Sequence, residues 1–590
     1  MRVIATAGHV DHGKSTLVRA LTGTDPDRWA EEHRRGLTLD LGYAWTSLPG
    51  GETVAFVDVP GHQRFIATML AGLGPAPGVL FVVAADEGWR RQSTEHLAAV
   101  RALGIEHVVV AVSRADLADP AEAARQVRER LGDVPLVAVS AVTGQGLDDL
   151  RAALDQLCVR LPEPVTTGRV RLWVDRVFTM KGAGTIATGT LESGRIAVGD
   201  TVQLQRAEGE TTATVRGLQA LGVPHREVPA VARVAVNLRG VTTGDLARGD
   251  TLLTPGAWHR TTSVDARLLA PDDVPEHLTL HVGTVAVPAR VRPLGGDAVR
   301  LTWPHPLPLQ VGDRLVLRDP GRHHIVAGAQ VLDADPPALR RRGAARERAS
   351  ALASRGATLD VAAEVDRRGW ARASDLLALG ATAEALADAG VREYRGVLVS
   401  PEQWADWTQA LGEVVRATVE ADPLQARMPA GAAASALGLP TADLVGPLAS
   451  DAGLQLVAGH VEVPGRRADL GAAEAGLDAL EQRLAQRPFA APEADDLQAA
   501  GLGPRQVAAA VRLGRVLDLG GHVLVLPTAP ALAMRRLAAL PQPFTTSQAR
   551  QALDTTRRVV IPLLTELDRR GWTRRIDAGH REVARAGGTP

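Results

Sequence analysis

The chain has 590 residues, 45% of them hydrophobic, with 66 Lys and Arg set against 67 Asp and Glu. That length calls for about four domains, and a formal net charge of −1 gives no global field for nucleic acid, so any such partner must meet a local patch. A single cysteine, Cys158, excludes an internal disulfide and has no metal-ligand spacing around it, while the lack of any run of 18 apolar residues and a first motif too near Met1 for a signal peptide read as a cytoplasmic protein with no membrane partner.

Residues 1–7 read as a short buried strand and 15–21 as the opening of a helix. Between them stands Gly8-His9-Val10-Asp11-His12-Gly13-Lys14-Ser15-Thr16, which fits G-x-x-x-x-G-K-[ST]. In that motif backbone N–H groups wrap the phosphates, an ammonium reaches the outer ones and a hydroxyl binds Mg²⁺. Only two lysines occur in the chain, and Lys14 is one of them; a forked guanidinium would not fit that nest. Asp11, Gly13, Lys14, Ser15 and Thr16 therefore form a nucleoside triphosphate site, with Ser15 also a metal ligand. Arg34-Arg35-Gly36-Leu37-Thr38 lies in a weakly periodic stretch, suited to a loop that orders when Thr38 reaches the metal.

An apolar strand at 54–57 ends in Asp58-Val59-Pro60-Gly61-His62, where a carboxylate can hold the Mg²⁺ shell and the Gly61 N–H can meet the γ-phosphate. A further strand at 108–112 leads into Ser113-Arg114-Ala115-Asp116. The Asp116 carboxylate can accept both the N1–H and the 2-amino protons of guanine, a pattern adenine does not offer, so the nucleotide is GTP. Residues 137–139 lead into Ser140-Ala141, placed to meet the base from its other side.

Five motifs in this order, over residues 1 to 160, resemble the G domain of translational GTPases. The resemblance implies that His62 orients the attacking water once the ribosome is engaged. The fourth motif departs from the family's Asn-Lys-x-Asp, since Ser113-Arg114 keeps a hydroxyl and loses the amide. We take residues 1–165 as this α/β domain.

Past residue 165 the texture changes to short alternating strands punctuated by glycine. Strands at 170–177, 184–191, 200–205, 212–218, 232–238 and 250–253 suit a small closed barrel over 166–257, and a second set suits a barrel over 258–337. Two barrels after a G domain resemble the body of the tRNA-carrying elongation factors. Where the resemblance to general carriers implies two acidic residues, this chain has Asp175-Arg176. A selenocysteinyl ester presents an anion at neutral pH where a seryl ester on the same tRNA is neutral, so Arg176, with Arg239, can discriminate by charge.

Beyond Pro336-Pro337 and an arginine-rich connector the texture is helical, interrupted by a recurring element whose glycines fall at 396, 459, 521 and 579. A period near 60 with a closing hairpin is the plan of a winged helix-turn-helix. Four units are expected, at 338–408, 409–467, 468–530 and 531–590. From 541 to 590 there are nine arginines against five acids. They are grouped, with Arg557-Arg558 at the start of a recognition helix, Arg569-Arg570 at its end, and Arg574, Arg575 and Arg581 on the hairpin; with Arg550 they form an RNA footprint.

The whole order resembles the bacterial selenocysteine-specific elongation factors. That resemblance implies a multidomain GTPase that uses GTP and Mg²⁺ and works as a monomer. It would deliver selenocysteinyl-tRNA to the ribosome at recoded UGA codons while its last unit grips a hairpin in selenoprotein mRNA. Two other readings stay open at this point: a translational GTPase carrying another tRNA, and a GTPase regulator with a protein-binding helical tail.

Overall fold

The computed structural model describes residues 1–26, 38–180, 182, 184–422, 424, 426–466 and 470–584. The expected switch residues Arg34 to Leu37 lie outside the described residues, whereas Thr38 lies within them. The chain forms two compact units, Met1–Val391 and Arg392–Pro590.

The first unit opens with a six-stranded sheet of order β2-β3-β1-β4-β5-β6. Its strands are β1 (Arg2–Gly8), β2 (Gly42–Ser47), β3 (Thr53–Asp58), β4 (Gly78–Ala84), β5 (His107–Ser113) and β6 (Leu136–Ala138). Only β2 runs antiparallel to its neighbour. Continuous apolar runs such as Val-Leu-Phe-Val-Val in β4 suit strands covered on both faces. The two-residue period divides them. Val3, Ala5 and Ala7 face one helical layer, made by α2 (Ile66–Leu73), α3 (Arg91–Ala102) and α4 (Ala121–Leu131). Ile4 faces the other, made by α1 (Lys14–Thr22) and α5 (Leu147–Arg160) through Leu17, Leu150 and Leu154. This layering brings the loops after β1, β3, β5 and β6 to one edge, the carboxyl ends of the parallel strands, where such sheets bind ligands.

Strands Thr201–Arg206, Thr251–Leu253, Arg171–Met180, Gly184–Ser193, Ala232–Arg239 and Gly209–Ala220 pair in that order, and pairing of the first with the last closes a six-stranded barrel. Six more strands between Arg260 and Asp333 close a second barrel. In the first barrel the register slips between Val174 and Arg176, so Asp175 is the extra residue of a β-bulge, a device that re-aims a side chain.

The helices Ala344–Leu352 and Val361–Arg368 are held to the second barrel by buried charges. Asp265, with no exposed surface, receives Arg300 at 2.7 and 3.0 Å and Arg348 at 2.7 Å. Arg348 also reaches Asp333.

In the second unit the recurring glycine element is the turn of a hairpin. Arg395 and Gly396 both have positive φ, 49° and 79°, as do Ala458 and Gly459, 46° and 78°. Two left-handed residues in succession make the tight turn whose twist matches antiparallel strands. The fourth instance is built differently, with Asp577 Oδ1 accepting from the N–H groups of Gly579 and His580. The core under the terminal helices also takes in Phe489 and Val525, so it crosses the boundary expected at 530. Among the described residues no helix is long and apolar enough to cross a membrane.

Candidate functional site

The loop from Gly8 to Gly13 leaves β1 and enters α1 through a backbone that ordinary side chains resist. Asp11 has φ 64° and Gly13 φ 80°, and a Cβ on Gly8 would stand 2.2 Å from the Val82 carbonyl oxygen. The left-handed turn at Gly13 starts α1 with its N–H groups facing the cleft, the arrangement that receives phosphate. Lys14 is buried, and its ammonium donates to the carbonyls of Gly8 (3.1 Å) and His9 (2.8 Å).

Three oxygen-bearing side chains converge beside it. The hydroxyls of Ser15 and Thr38 lie 2.9 Å apart, and Ser15 Oγ donates to Asp58 Oδ2 at 2.6 Å. Thr6 Oγ1 donates to Asp58 Oδ1 at 2.6 Å and accepts the Val59 N–H, so the carboxylate at the end of β3 is aimed from behind. An all-oxygen set of two hydroxyls and one carboxylate suits a hard divalent cation such as Mg²⁺.

A cavity of about 590 Å³ opens over this cluster. Asp11, Gly13, Lys14, Ser15, Thr16 and Thr38 line its phosphate end, with Gly61, while Ser113, Asp116 and Ala141 line its far end. A Cβ on Gly61 would lie 2.5 Å from the Val10 nitrogen and 2.7 Å from the Lys14 ammonium, which leaves room for nothing larger than glycine. Ser140 sits beneath the cavity, fully buried, and its hydroxyl accepts the N–H groups of Val142 and Thr143, which shapes the turn carrying Ala141.

The Ser-Arg pair of the fourth motif keeps the phosphate loop braced. Ser113 Oγ donates to the His12 carbonyl at 2.7 Å. Arg114 reaches the Asp11 carbonyl with one nitrogen and Asp86 and Glu87 with the other. Leu117 and Val142, the residues just after the fourth and fifth motifs, are 66% and 84% exposed and offer two apolar walls for a flat base.

His96 was not singled out by its sequence context, yet it ties the two phosphate-sensing loops together. From α3 its Nδ1 accepts the Gly8 N–H at 3.0 Å, and the ring also hydrogen-bonds the Gly61 backbone. Burial, with Lys14 adding repulsion, lowers its pKa to about 3, so it is neutral and can accept. One turn earlier, Gln92 Oε1 accepts the Val10 N–H at 3.0 Å. His62, in contrast, is exposed and outside the cavity lining; its Nδ1 accepts the Arg64 N–H at 3.1 Å and caps the short helix Gln63–Phe65.

In the first barrel the bulge turns Asp175 inward. Its carboxylate, largely buried, accepts from Arg233 Nη2 (2.8 Å), Thr188 Oγ1 (2.8 Å) and the Tyr43 hydroxyl (3.3 Å) from β2, while the Arg233 guanidinium lies 4.0 Å over the Tyr43 ring. Arg176 reaches across the same seam to Asp40. Arg239 corrects an expectation. It ends the strand Ala232–Arg239, six residues and roughly 20 Å beyond Arg233 at strand rise. The second arginine beside Asp175 is Arg233, because pairing sets Ala235 opposite Thr188, itself opposite Arg176. Only a strand register could have shown it.

The terminal arginines also divide. Arg558 donates to the carbonyls of Ala491 and Pro492 and pairs with Glu493, so it braces the terminal helix. Arg581 is 13% exposed on Asp568, and Arg574 pairs with Glu582. Arg575 donates to the carbonyls of Asp577 and Ala578. The side chains of Arg550 and Arg557 have no hydrogen bond or ion pair among the described residues, and Arg557 is exposed at the first turn of Arg557–Arg569.

Comparison with known proteins bears on this arrangement. Residues 1–160 match the elongation factor Tu GTP binding domain and residues 184–253 elongation factor Tu domain 2. Elongation factor Tu 2 of Streptomyces avermitilis is 36% identical over 286 residues, 43% of this chain and 72% of that protein. The chain belongs to the elongation factor Tu family of translational GTPases.

It is also similar, in parts, to the selenocysteine-specific elongation factors. Residues 263–338 match their beta-barrel domain and residues 535–581 the elongation factor SelB winged helix. The selenocysteine-specific elongation factor of Escherichia coli is 40% identical over 346 residues, 57% of this chain and 56% of that protein, so the chain spans about half the length of the curated selenocysteine-specific relatives it matches. A crystal structure of a bacterial selenocysteine-specific elongation factor has the same fold at TM-score 0.79 and 24% identity, covering 99% of this chain and 100% of that one.

Proposed function

We propose that this translational GTPase delivers selenocysteinyl-tRNA to the ribosome at recoded UGA codons, as a cytoplasmic monomer, while its last winged-helix unit holds a hairpin in selenoprotein mRNA. The observation that carries the reading is the pair of guanidiniums, Arg176 and Arg233, gathered at the bulge around Asp175. A general carrier has no need of two cations there. A selenolate gains a charge-assisted hydrogen bond from such a group, and a seryl hydroxyl gains a weaker one.

The chain's own residues supply the timing. Lys14 moves from the loop carbonyls to the outer phosphates, Asp116 reads guanine, and Gly61 and Thr38 report the third phosphate. Ser15, Thr38 and Asp58 would hold Mg²⁺, which neutralises phosphate charge when bound. His62 stands one residue beyond Gly61 and would orient the attacking water after its ring turns from the Arg64 N–H toward the cavity. Linking the nucleotide-gated body to an RNA-gripping tail raises the effective concentration of the charged tRNA at one codon.

The test compares one tRNA carrying serine or selenocysteine, bound to the full chain with a non-hydrolysable GTP analogue. The selenocysteinyl form should bind at least about tenfold more tightly, and Arg233→Ala should remove that preference without changing GTP affinity. Equal binding of the two forms by the unaltered chain would refute the reading.

A further inference from the structure

Two ring nitrogens of the phosphate loop are unmatched. His9 Nδ1 and His12 Nε2 are buried and have no hydrogen-bond partner among the described residues, and a buried polar atom left so needs a reason. His12 has no exposed surface, and its other nitrogen, Nδ1, lies 3.4 Å from the Val82 carbonyl oxygen. A carbonyl only accepts, so Nδ1 carries the ring proton and Nε2 presents a lone pair. The two rings stand edge to face with their centres 4.9 Å apart. Glu87, in the turn after β4, places its Oε2 3.9 Å from His12 Nε2, while its Oε1 accepts from Arg114 Nη1 at 3.0 Å. One donor atom from each of His9, His12 and Glu87 lies within 4.8 Å of the other two, the one such group of His, Cys, Asp and Glu among the described residues.

We propose that His9, His12 and Glu87 form a second metal site, separate from the oxygen cluster of Ser15, Thr38 and Asp58, which takes a divalent cation of the Zn²⁺ class. Two imidazoles and a carboxylate, with a fourth position left for water, are a donor set that suits such an ion, whereas Mg²⁺ prefers oxygen alone. The contacts behind the donors are those that orient ligands. The Nδ1–H of His12 rests on a backbone carbonyl, and the far oxygen of Glu87 is held by Arg114, the departure in the fourth motif. Zinc bonds of about 2.0–2.2 Å require the donors to draw together by about 1 Å. Glu87 is the part that can move, because its side chain is 28% exposed and its Oε2 faces Arg90, itself half exposed, at 3.5 Å. Lys14, Arg90 and Arg114 add repulsion near the rings, and Asp11, Glu87 and Asp86 oppose it. An ion held here ties the loop that wraps the phosphates to the turn after β4 and uses none of the Mg²⁺ ligands.

The test uses the full chain, freed of metal by a chelator and returned to excess Mg²⁺, with Zn²⁺ as the probe. Equilibrium dialysis should show a single Zn²⁺ taken up per chain and not displaced by further Mg²⁺. His9→Gln and Glu87→Gln should each weaken that uptake at least about tenfold, while His580→Gln, on an exposed hairpin, should leave it unchanged. In the unaltered chain Zn²⁺ should slow hydrogen exchange of the amides of residues 8–13 and 85–88, a readout that depends on no variant folding. Lack of uptake by the parent in excess Mg²⁺, parent-like uptake by both the His9 and Glu87 variants, or uptake without protection of those two segments would overturn the proposal.

Discussion

Protonating His96 should loosen the phosphate loop, and the size of the effect follows from its surroundings. The ring is 2% exposed, and its Nδ1 accepts the Gly8 N–H, a bond that only the neutral ring can make. Burial, then Lys14, lowers its pKa from 6.5 to about 3. His12, with no exposed surface, is lowered to about 3 by burial and then by His9. Between pH 3 and 6.5 the unfolded chain therefore binds protons that the folded G domain does not. The contribution of each ring to stability is complete above about pH 6.5 and is lost as pH falls through that window. One pH unit is worth about 1.4 kcal/mol per histidine, so at pH 5.5 the two together remove roughly 2.7 kcal/mol. Hydrogen exchange of β1 and β4 amides in the full chain, at pH 7.5 and 5.5, measures this opening free energy. His96→Gln keeps a hydrogen-bond acceptor and does not titrate, so its pH-dependent loss should be smaller than the parent's by about 1.4 kcal/mol. An identical pH dependence in parent and variant would refute the argument, whatever the variant's absolute stability.

Asp265→Asn should destabilise the barrel from Arg260 to Asp333 together with the helices packed on it by about 3–5 kcal/mol, because Arg300 and Arg348 are left buried beside a neutral amide; protection of that segment against hydrogen exchange checks it. The last unit should respond in two ways. Arg557→Glu should weaken hairpin RNA binding and lower the salt slope by about one ion, read by binding across a salt series. Arg558→Ala should leave that slope unchanged and lower the thermal stability of the terminal unit, since Arg558 is spent on the carbonyls of Ala491 and Pro492.

What the sequence determined by itself is the nucleotide half of the protein. Its motifs are contiguous and each follows an apolar strand, so the parallel sheet had only to bring strand ends to one edge for Lys14, Ser15, Asp58, Gly61 and Asp116 to meet. The repeat of glycines near 60 was equally legible, because a hairpin turn needs left-handed residues at fixed places. Tertiary structure alone decided the rest. His96, 88 residues beyond Gly8, joins Gly8 to Gly61 from a helix face that no local pattern marks. Arg233 rather than Arg239 stands beside Asp175 because a one-residue bulge and the strand register set which side chains meet. Arginine composition located a basic unit, but whether a guanidinium stays exposed or holds a backbone carbonyl depends on what packs against it, and Arg557 and Arg558 are neighbours in the chain with opposite fates. Short-range chemistry is written along the chain; charge pairing between elements is settled only when they pack.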